Sequence, residues 1–414
     1  MRILFVTPYV PSRIRVRPFN LIKSLSVMHD ISLVSLLVDD YEQAMVKDIE
    51  EYCVSVDLVP LPKWQAYRNC LLALPTSVPL RVAYYRLPAF AQRIREVIHR
   101  QGIDVVHGEL IKVVPALQAV LAQERLPVLF DSVDCISWLL QQTMGTTHNF
   151  LKKTFVYSEL QKMRRYEGKV LADFDRLIIS SAFDREKLGN ITGQPQAIEV
   201  VSNGVDTDYF AFEPGPRTTD SLVFCAKLDY FPNTQAIIHF CEHVLPLVWK
   251  QRPQVRLTIV GNNPPEGVLR LSVDGRITVT GYVPDIRPYL GTASVALAPL
   301  LVAAGTQFKV LEALSMGTPT VTTPRCSQAL GTKDGVHLLT AEKPPAFARA
   351  IVRLLNDPLF AGRLGRSGRQ FVERYNWKEA SRVLEQLYYD IMPAPGQDEP
   401  AVNVAAYSGN KQYR

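Results

Sequence analysis

Short β-branched apolar runs alternate with longer stretches of helical periodicity along most of the chain. This is the pattern of parallel βαβ units whose sheets are covered on both faces. The runs Arg2 to Thr7, Ile31 to Val38, Val54 to Val59, Val105 to His107, Val128 to Asp131, Leu177 to Ser180 and Ile198 to Val201 predict one set of strands. After the turn-rich stretch Glu213-Pro214-Gly215-Pro216-Arg217 the alternation restarts, with strands expected at Leu222 to Ala226, Leu257 to Gly261, Ile277 to Gly281, Val295 to Ala298 and Thr320 to Thr322. A boundary at that turn divides the chain into an N-terminal domain over 1–212 and a C-terminal domain over 213–375, followed by a helix over 376–391 and a disordered tail over 392–414. Two doubly wound α/β domains leave a cleft between the carboxyl ends of their sheets, where such folds bind ligands.

Length and composition sharpen this picture. A chain of 414 residues exceeds what one core usually serves, and 47% hydrophobic with 21% charged residues excludes disordered and coiled-coil classes. Six cysteines without C-x-x-C spacing read as small apolar residues in a reducing compartment, so the expected location is cytoplasmic and no metal site is expected. The 21-residue uncharged run between Arg287 and Lys309 is long enough for a membrane span, but Gly291, Thr292, Pro299 and Gly305 break it into a strand and a glycine loop. The net charge of +6 suggests no nucleic-acid partner. It is unevenly spread: between Leu61 and Arg100 stand seven basic residues against Glu96 alone, interleaved with Trp64, Tyr67, Leu71, Leu72, Leu74, Tyr84, Tyr85 and Phe90. A basic, aromatic segment of this kind over 61–100 suits an anionic inner-membrane face and a peripheral membrane protein. A packed α-hairpin with a solvated face, or an RNA patch, is the alternative.

The most informative segment runs from Ala304 through Gly305-Thr306-Gln307-Phe308-Lys309 to Glu312 and on to Met316-Gly317-Thr318-Pro319. It reads as glycine turn, helix, glycine C-cap and strand. Lys309 in the first turn opposes the helix dipole unless an anion binds there, and backbone N–H groups at Gly305 and Thr306 would meet the same anion. Glu312, one turn deeper, suits sugar hydroxyls. A solvated Lys309–Glu312 pair is the bland reading. This segment resembles the glycine-loop and E-A-x-x-x-G-x-P signature of glycosyltransferase family 4. The stretches Phe224 to Asn233, Leu257 to Gly261, Thr280 to Ile286, Val295 to Leu300 and Val201-Ser202-Asn203-Gly204-Val205-Asp206 resemble that family in order, in a variant found in exopolysaccharide-associated (PEP-CTERM/exosortase type) sugar transferases.

The resemblance implies the GT-B fold, with two Rossmann-like domains, the acceptor bound by 1–212, the nucleotide sugar by 213–375 and the helix over 376–391 crossing back to the N-terminal domain. It also implies a retaining, metal-independent transferase that moves a hexosyl group from a UDP- or GDP-linked nucleotide sugar to a saccharide, lipid-linked acceptor in exopolysaccharide or surface-glycan synthesis. It needs no cofactor beyond that substrate. It places the catalytic charges on Lys227, Lys309 and Glu312, the phosphate loop on Gly305 and Thr306, and the base-holding loop on Gly281, Tyr282 and Val283. Ala304 stands where the family usually has an acidic residue, and Pro232-Asn233 stands where a second basic residue commonly follows. On the acceptor side, Arg13, Arg15 and Arg17 replace the glycines of the first loop, and Arg17 is the expected ligand contact. His107 with Glu109 at one strand end, and Asp134 at the next, are expected at the active-site rim. The alternatives are a non-catalytic GT-B scaffold partnering an active transferase, a sugar-nucleotide epimerase, or a phosphorylase.

Overall fold

A computed structural model describes residues 1–146, 149–170, 173–212, 215–302 and 305–392. Glu213, Pro214, Ala304 and the tail from 393 onward, all singled out in the sequence, lie outside the described residues.

The first sheet contains β1 (Arg2–Thr7), β2 (Asp30–Leu37), β3 (Ser55–Pro60), β4 (Val105–Glu109), β5 (Val128–Asp131), β6 (Arg176–Ile179) and β7 (Ile198–Val200). The second contains β8 (Thr218–Cys225), β9 (Arg256–Val260), β10 (Ile277–Val279), β11 (Ala293–Ala298), β12 (Thr320–Thr322) and β13 (Leu339–Thr340). Their orders are β3-β2-β1-β4-β5-β6-β7 and β10-β9-β8-β11-β12-β13, with every pairing parallel. In each sheet the order reverses beside the first strand, so the loops leaving β1 and β4, and those leaving β8 and β11, flank a topological switch point. Only β13 has no counterpart among the expected strands, because two residues are too few to show a period.

Period-two alternation loads both faces of the first sheet. Leu4 and Val6 face one core with Phe90, Ile94 and Phe130, while Ile3 and Phe5 face another with Leu21, Ile22 and Leu33. The helix Trp377–Ile391 closes this second core. Asn376 caps it by accepting the Glu379 N–H at 2.8 Å, and Trp377, Leu384, Leu387 and Tyr388 all pack beside Phe5 and Leu21. The last helix therefore lies on the first sheet although it follows the second in sequence. Gly204 makes room for this return, since a Cβ there would lie 2.6 Å from the Trp377 backbone nitrogen.

Residues 61–100 form the helices Lys63–Ala73, Leu80–Ala83 and Pro88–Gln101. The third is not a surface element as a whole, because Phe90, Ile94, Val97 and Ile98 pack into the core and Arg93 and Arg100 both hold Asp57 on β3. The first helix is different: Trp64, Tyr67, Leu71, Leu72 and Leu74 are each more than half exposed. The helix Phe150–Val170 reaches the same region, where Lys162 donates to the carbonyls of Ala73 (3.3 Å) and Leu74 (3.1 Å). Helical spacing puts Leu151 and Phe155, both exposed, on the stripe that carries Lys162.

If the returning helix is a structural part of the first domain, truncating its buried face must unfold that domain more easily. Leu384→Ala is expected to cost about 2–5 kcal/mol in urea denaturation, whereas Val383→Ala on the adjacent exposed position should stay within about 0.5 kcal/mol.

Candidate functional site

A buried ion pair organises the carboxyl edge of the first sheet. Arg17, in the first turn of the helix Val16–Leu25, donates from Nε to Asp131 Oδ2 at 2.7 Å and from Nη1 to Asn203 Oδ1 at 2.8 Å. Asn203 in turn donates to the Thr306 carbonyl at 3.5 Å, linking the first sheet to the glycine loop of the second domain. Arg17, the expected ligand contact, is instead turned inward: with 3% of its surface exposed, it faces the Asp131 carboxylate at the end of β5. His107 likewise lies beneath the rim. Its ring stacks on Phe5 at 4.5 Å and its Nδ1 bonds the Tyr388 hydroxyl at 2.7 Å, while burial and the Arg17 charge depress it to about 3, so it is neutral.

Glu109 and Asp134 sit on strained backbone. Leu110 directly after Glu109 has φ +67°, and Val133 directly before Asp134 has φ +64°. Such a conformation costs a residue with a Cβ about 1–3 kcal/mol. Burial and the Asp131 charge push Glu109 up to about 8, and one of its carboxyl oxygens has no partner among the described residues. Burial and the Asp184 charge push Asp134 up to about 7.

Asp134 and, beside it, Asp184 meet the glycine loop. Gly305, at φ +65°, donates its N–H to Asp184 Oδ2 at 2.9 Å, and a Cβ at this position would lie 2.0 Å from Asp134 Oδ1. The loop expected to cradle a phosphate here bonds a carboxyl group of the first domain, that of Asp184. The Ser180 and Thr306 hydroxyls beside it are buried without partners among the described residues. The sequence reading did not single out Asp184. A signal was present: Ser181-Ala182-Phe183-Asp184 has capping-box spacing immediately after β6, and Ser181 does accept the Asp184 N–H at 3.0 Å.

On the second domain, Lys227 follows β8, half-exposed and 3.7 Å from Asp229. Lys309 opens the helix Phe308–Ser315, is half-buried, and donates to Gln307 Oε1 at 3.1 Å. Glu312, one turn on, lines a cleft cavity of about 540 Å³ that also touches Arg13, Tyr209, Tyr282, Val283 and Trp377. Burial pushes Glu312 up to about 7, with Lys309 pulling the other way. Gly281, at φ +70°, accepts the Gly261 N–H at 3.2 Å and so sets the 282–283 loop at the cavity wall. The structure therefore brings Tyr282, Val283 and Glu312 together on one cavity. It gathers Gly305, Thr306, Asp134 and Asp184 at a second point, joined to the first by the helix Phe308–Ser315.

Two open parallel sheets with a charged cleft between their switch points define an α/β protein of the GT-B class. The sequence family described as Glycosyltransferase Family 4 matches residues 54–209, and that described as Glycosyl transferases group 1 matches residues 219–357. The chain belongs to glycosyltransferase family 4 and is a glycosyltransferase. It is 26% identical to a phosphatidyl-myo-inositol mannosyltransferase of Mycobacterium leprae, over 83% of this chain and 85% of the relative. It is 22% identical to an uncharacterized 44.6 kDa protein in the cps region of Klebsiella pneumoniae, over 79% and 82%. Among solved structures, Anabaena HepE in complex with UDP superposes with a TM-score of 0.68 at 13% identity, covering 94% of this chain and 100% of that one. Sucrose-phosphate synthase from Thermosynechococcus elongatus superposes with a TM-score of 0.70 at 16% identity, covering 94% and 98%.

The raised carboxyls make stability depend on pH. Glu109 (about 8), Asp134 (about 7) and Glu312 (about 7) bind protons more tightly folded than unfolded. Their stabilising contribution is complete below the ordinary carboxylate range and is lost as pH rises through about 7 to 8. The melting temperature is therefore expected to fall from pH 6 to pH 9, and to fall less steeply in Glu109→Gln.

Proposed function

We propose that the chain is a retaining hexosyltransferase that moves a sugar from a UDP- or GDP-linked donor to a lipid-linked saccharide acceptor at the face of an anionic membrane, in exopolysaccharide or surface-glycan synthesis. The observation that carries the donor half is the cavity on which Tyr282, Val283 and Glu312 converge, one helix from the glycine loop. Its walls suit a nucleoside, with Glu312 accepting from ribose hydroxyls. The diphosphate belongs at the Gly305 helix start, with Lys227 and Lys309 neutralising the charge that develops on the leaving group. Gly305 now faces Asp184, so donor binding in this reading displaces a carboxylate from the loop. HepE was solved with UDP and with UDP-glucose, which supports a nucleotide-sugar donor.

Support for the membrane half lies in the exposed apolar residues Trp64, Tyr67, Leu71, Leu72 and Leu74, with Leu151 and Phe155 also exposed on the helix that meets Ala73 and Leu74 through Lys162. No acidic residue falls within 61–74 or 149–157, while Lys63, Arg68, Lys152 and Lys153 do. Basic residues beside exposed aromatics suit an interfacial site, each cation adding about 1 kcal/mol on an anionic leaflet. No described helix is long and apolar enough to cross a membrane. The M. leprae relative is, by its name, an enzyme of a phosphatidyl acceptor, in keeping with a lipid-linked substrate.

A thermal-shift screen with UDP-, GDP-, ADP- and dTDP-sugars should single out one nucleotide, since a donor at a hundred times its Kd stabilises by about 2.7 kcal/mol. With that donor, Lys309→Ala and Glu312→Ala are expected to lower turnover by roughly 10²-fold or more. Donor binding without hydrolysis or transfer across a panel of acceptors would instead mark a scaffold. For the membrane face, a Trp64→Ser, Leu71→Ser, Leu72→Ser variant is expected to lose about tenfold or more in co-sedimentation with phosphatidylglycerol vesicles. Unchanged sedimentation would remove the membrane from the proposal.

A further inference from the structure

Beyond the cleft floor, three cations gather without enough carboxylates to balance them. Lys112, two residues past the strained Leu110, is half-buried between aromatic rings. Its Nζ lies 4.6 Å from the Tyr85 ring centre and 5.7 Å from that of Tyr9, and donates to the Tyr85 hydroxyl at 3.2 Å. The Arg15 guanidinium lies on the same Tyr9 ring at 4.2 Å. Arg81, exposed on the helix Leu80–Ala83, stands one helical turn before Tyr85, and its charge reaches Lys112, Tyr85, Asp134 and Tyr230 of the second domain.

The opposing charge is small. Glu42 approaches Arg15 at 3.6 Å, but its carboxylate also accepts the Val38 N–H at 3.2 Å. Glu109, the other carboxyl facing this group, is raised to about 8 and is mostly protonated at neutral pH. Burial, with the two arginines adding to it, lowers Lys112 to about 7, so an anion bound beside it would favour its charged form. Arg15 and Arg81, joined by Lys112 when it is protonated, stand against Glu42, so the group is net positive and suits the negative charge of a phosphate.

We propose that Arg15, Arg81 and Lys112, walled by Tyr9 and Tyr85, form a subsite for a phosphoryl or diphosphoryl group carried by the acceptor. The proposal rests on the transferase reading and names the chemical class of its second substrate. Guanidinium forks and an ammonium together match phosphate oxygens in geometry and charge. The position is apt: Arg81 lies seven residues beyond Leu74 of the exposed apolar face, and the adjacent Leu80 N–H is held by Glu159 at 2.7 Å on the helix that carries Leu151 and Phe155. A phosphorylated acceptor bound here enters from the side of that face, with its saccharide directed toward Glu109 and Asp134.

Isothermal titration of the full chain with inorganic pyrophosphate, in the presence of saturating UDP so that the Gly305 position is filled, tests the subsite. One binding event is expected, weakened about tenfold or more in Lys112→Met and in Arg81→Gln. Arg81 is exposed, so its variant reports even if Lys112→Met fails to fold. Absence of pyrophosphate binding, or binding unchanged in Arg81→Gln and in folded Lys112→Met, overturns the proposal. Farnesyl diphosphate in detergent separates the sources: tighter binding than pyrophosphate supports the subsite with a lipid-linked acceptor, and equal binding supports it with a soluble one. If UDP itself does not bind, the donor reading fails, while loss of pyrophosphate binding in Arg81→Gln still establishes the subsite.

Discussion

The interaction on which the rest of this molecule depends is the buried contact of Arg17 with Asp131 and Asn203. A guanidinium with 3% of its surface exposed cannot remain charged without a partner, and Asp131, fully buried, has the same need. Each fixes the other, and together they fix three pieces of backbone: the loop after β1, the end of β5, and the turn between the domains. Asn203 extends the line to the Thr306 carbonyl, so the position of the donor loop is tied to the switch point of the first sheet. A line of hydrogen bonds of this kind gives the cleft a defined geometry at its deepest point while leaving its rims free.

Charge in the cleft is managed by burial. Glu109, Asp134 and Glu312 are all raised into or above the neutral range by loss of water, and Asp134 adds the repulsion of Asp184. The Gly305 amide faces Asp184, so the loop's preference for negative charge is satisfied within the protein. In the proposed function a diphosphate would bring more charge to this loop than a single carboxylate does, with Lys227 and Lys309 of the same domain as its counter-charges. Competition between an internal and an external anion for one backbone amide is a simple way to couple donor binding to the relative position of the two domains.

The first domain has a second polarity, from exposed apolar surface to cation cluster. Trp64 to Leu74, with Leu151 and Phe155, leave an apolar face uncovered, and the chain then runs through Leu80 and Arg81 to the cluster around Lys112. A lipid surface, a phosphate and a sugar hydroxyl would meet these regions in the order in which they occur along an amphiphilic acceptor.

The sequence by itself determined the elements and their grouping, because strand and helix periods are local: twelve of the thirteen strands, and the helix near 377–391, follow from spacing alone. It also marked the Gly305 turn and Glu312 on the helix that follows, since a turn glycine and a helix start are visible in a line of text. Tertiary structure decided which charged side chains face the cleft. Arg15 and Arg17 lie two apart at one helix start, yet one rests on Tyr9 within the cation cluster and the other is locked against Asp131, 114 residues away. His107 looked like a rim histidine until Tyr388 closed over it from the far end of the chain. Asp184 and Lys112 gained their roles from groups in other βαβ units. Burial and long-range partners set the charge and direction of these side chains, and no local pattern encodes either.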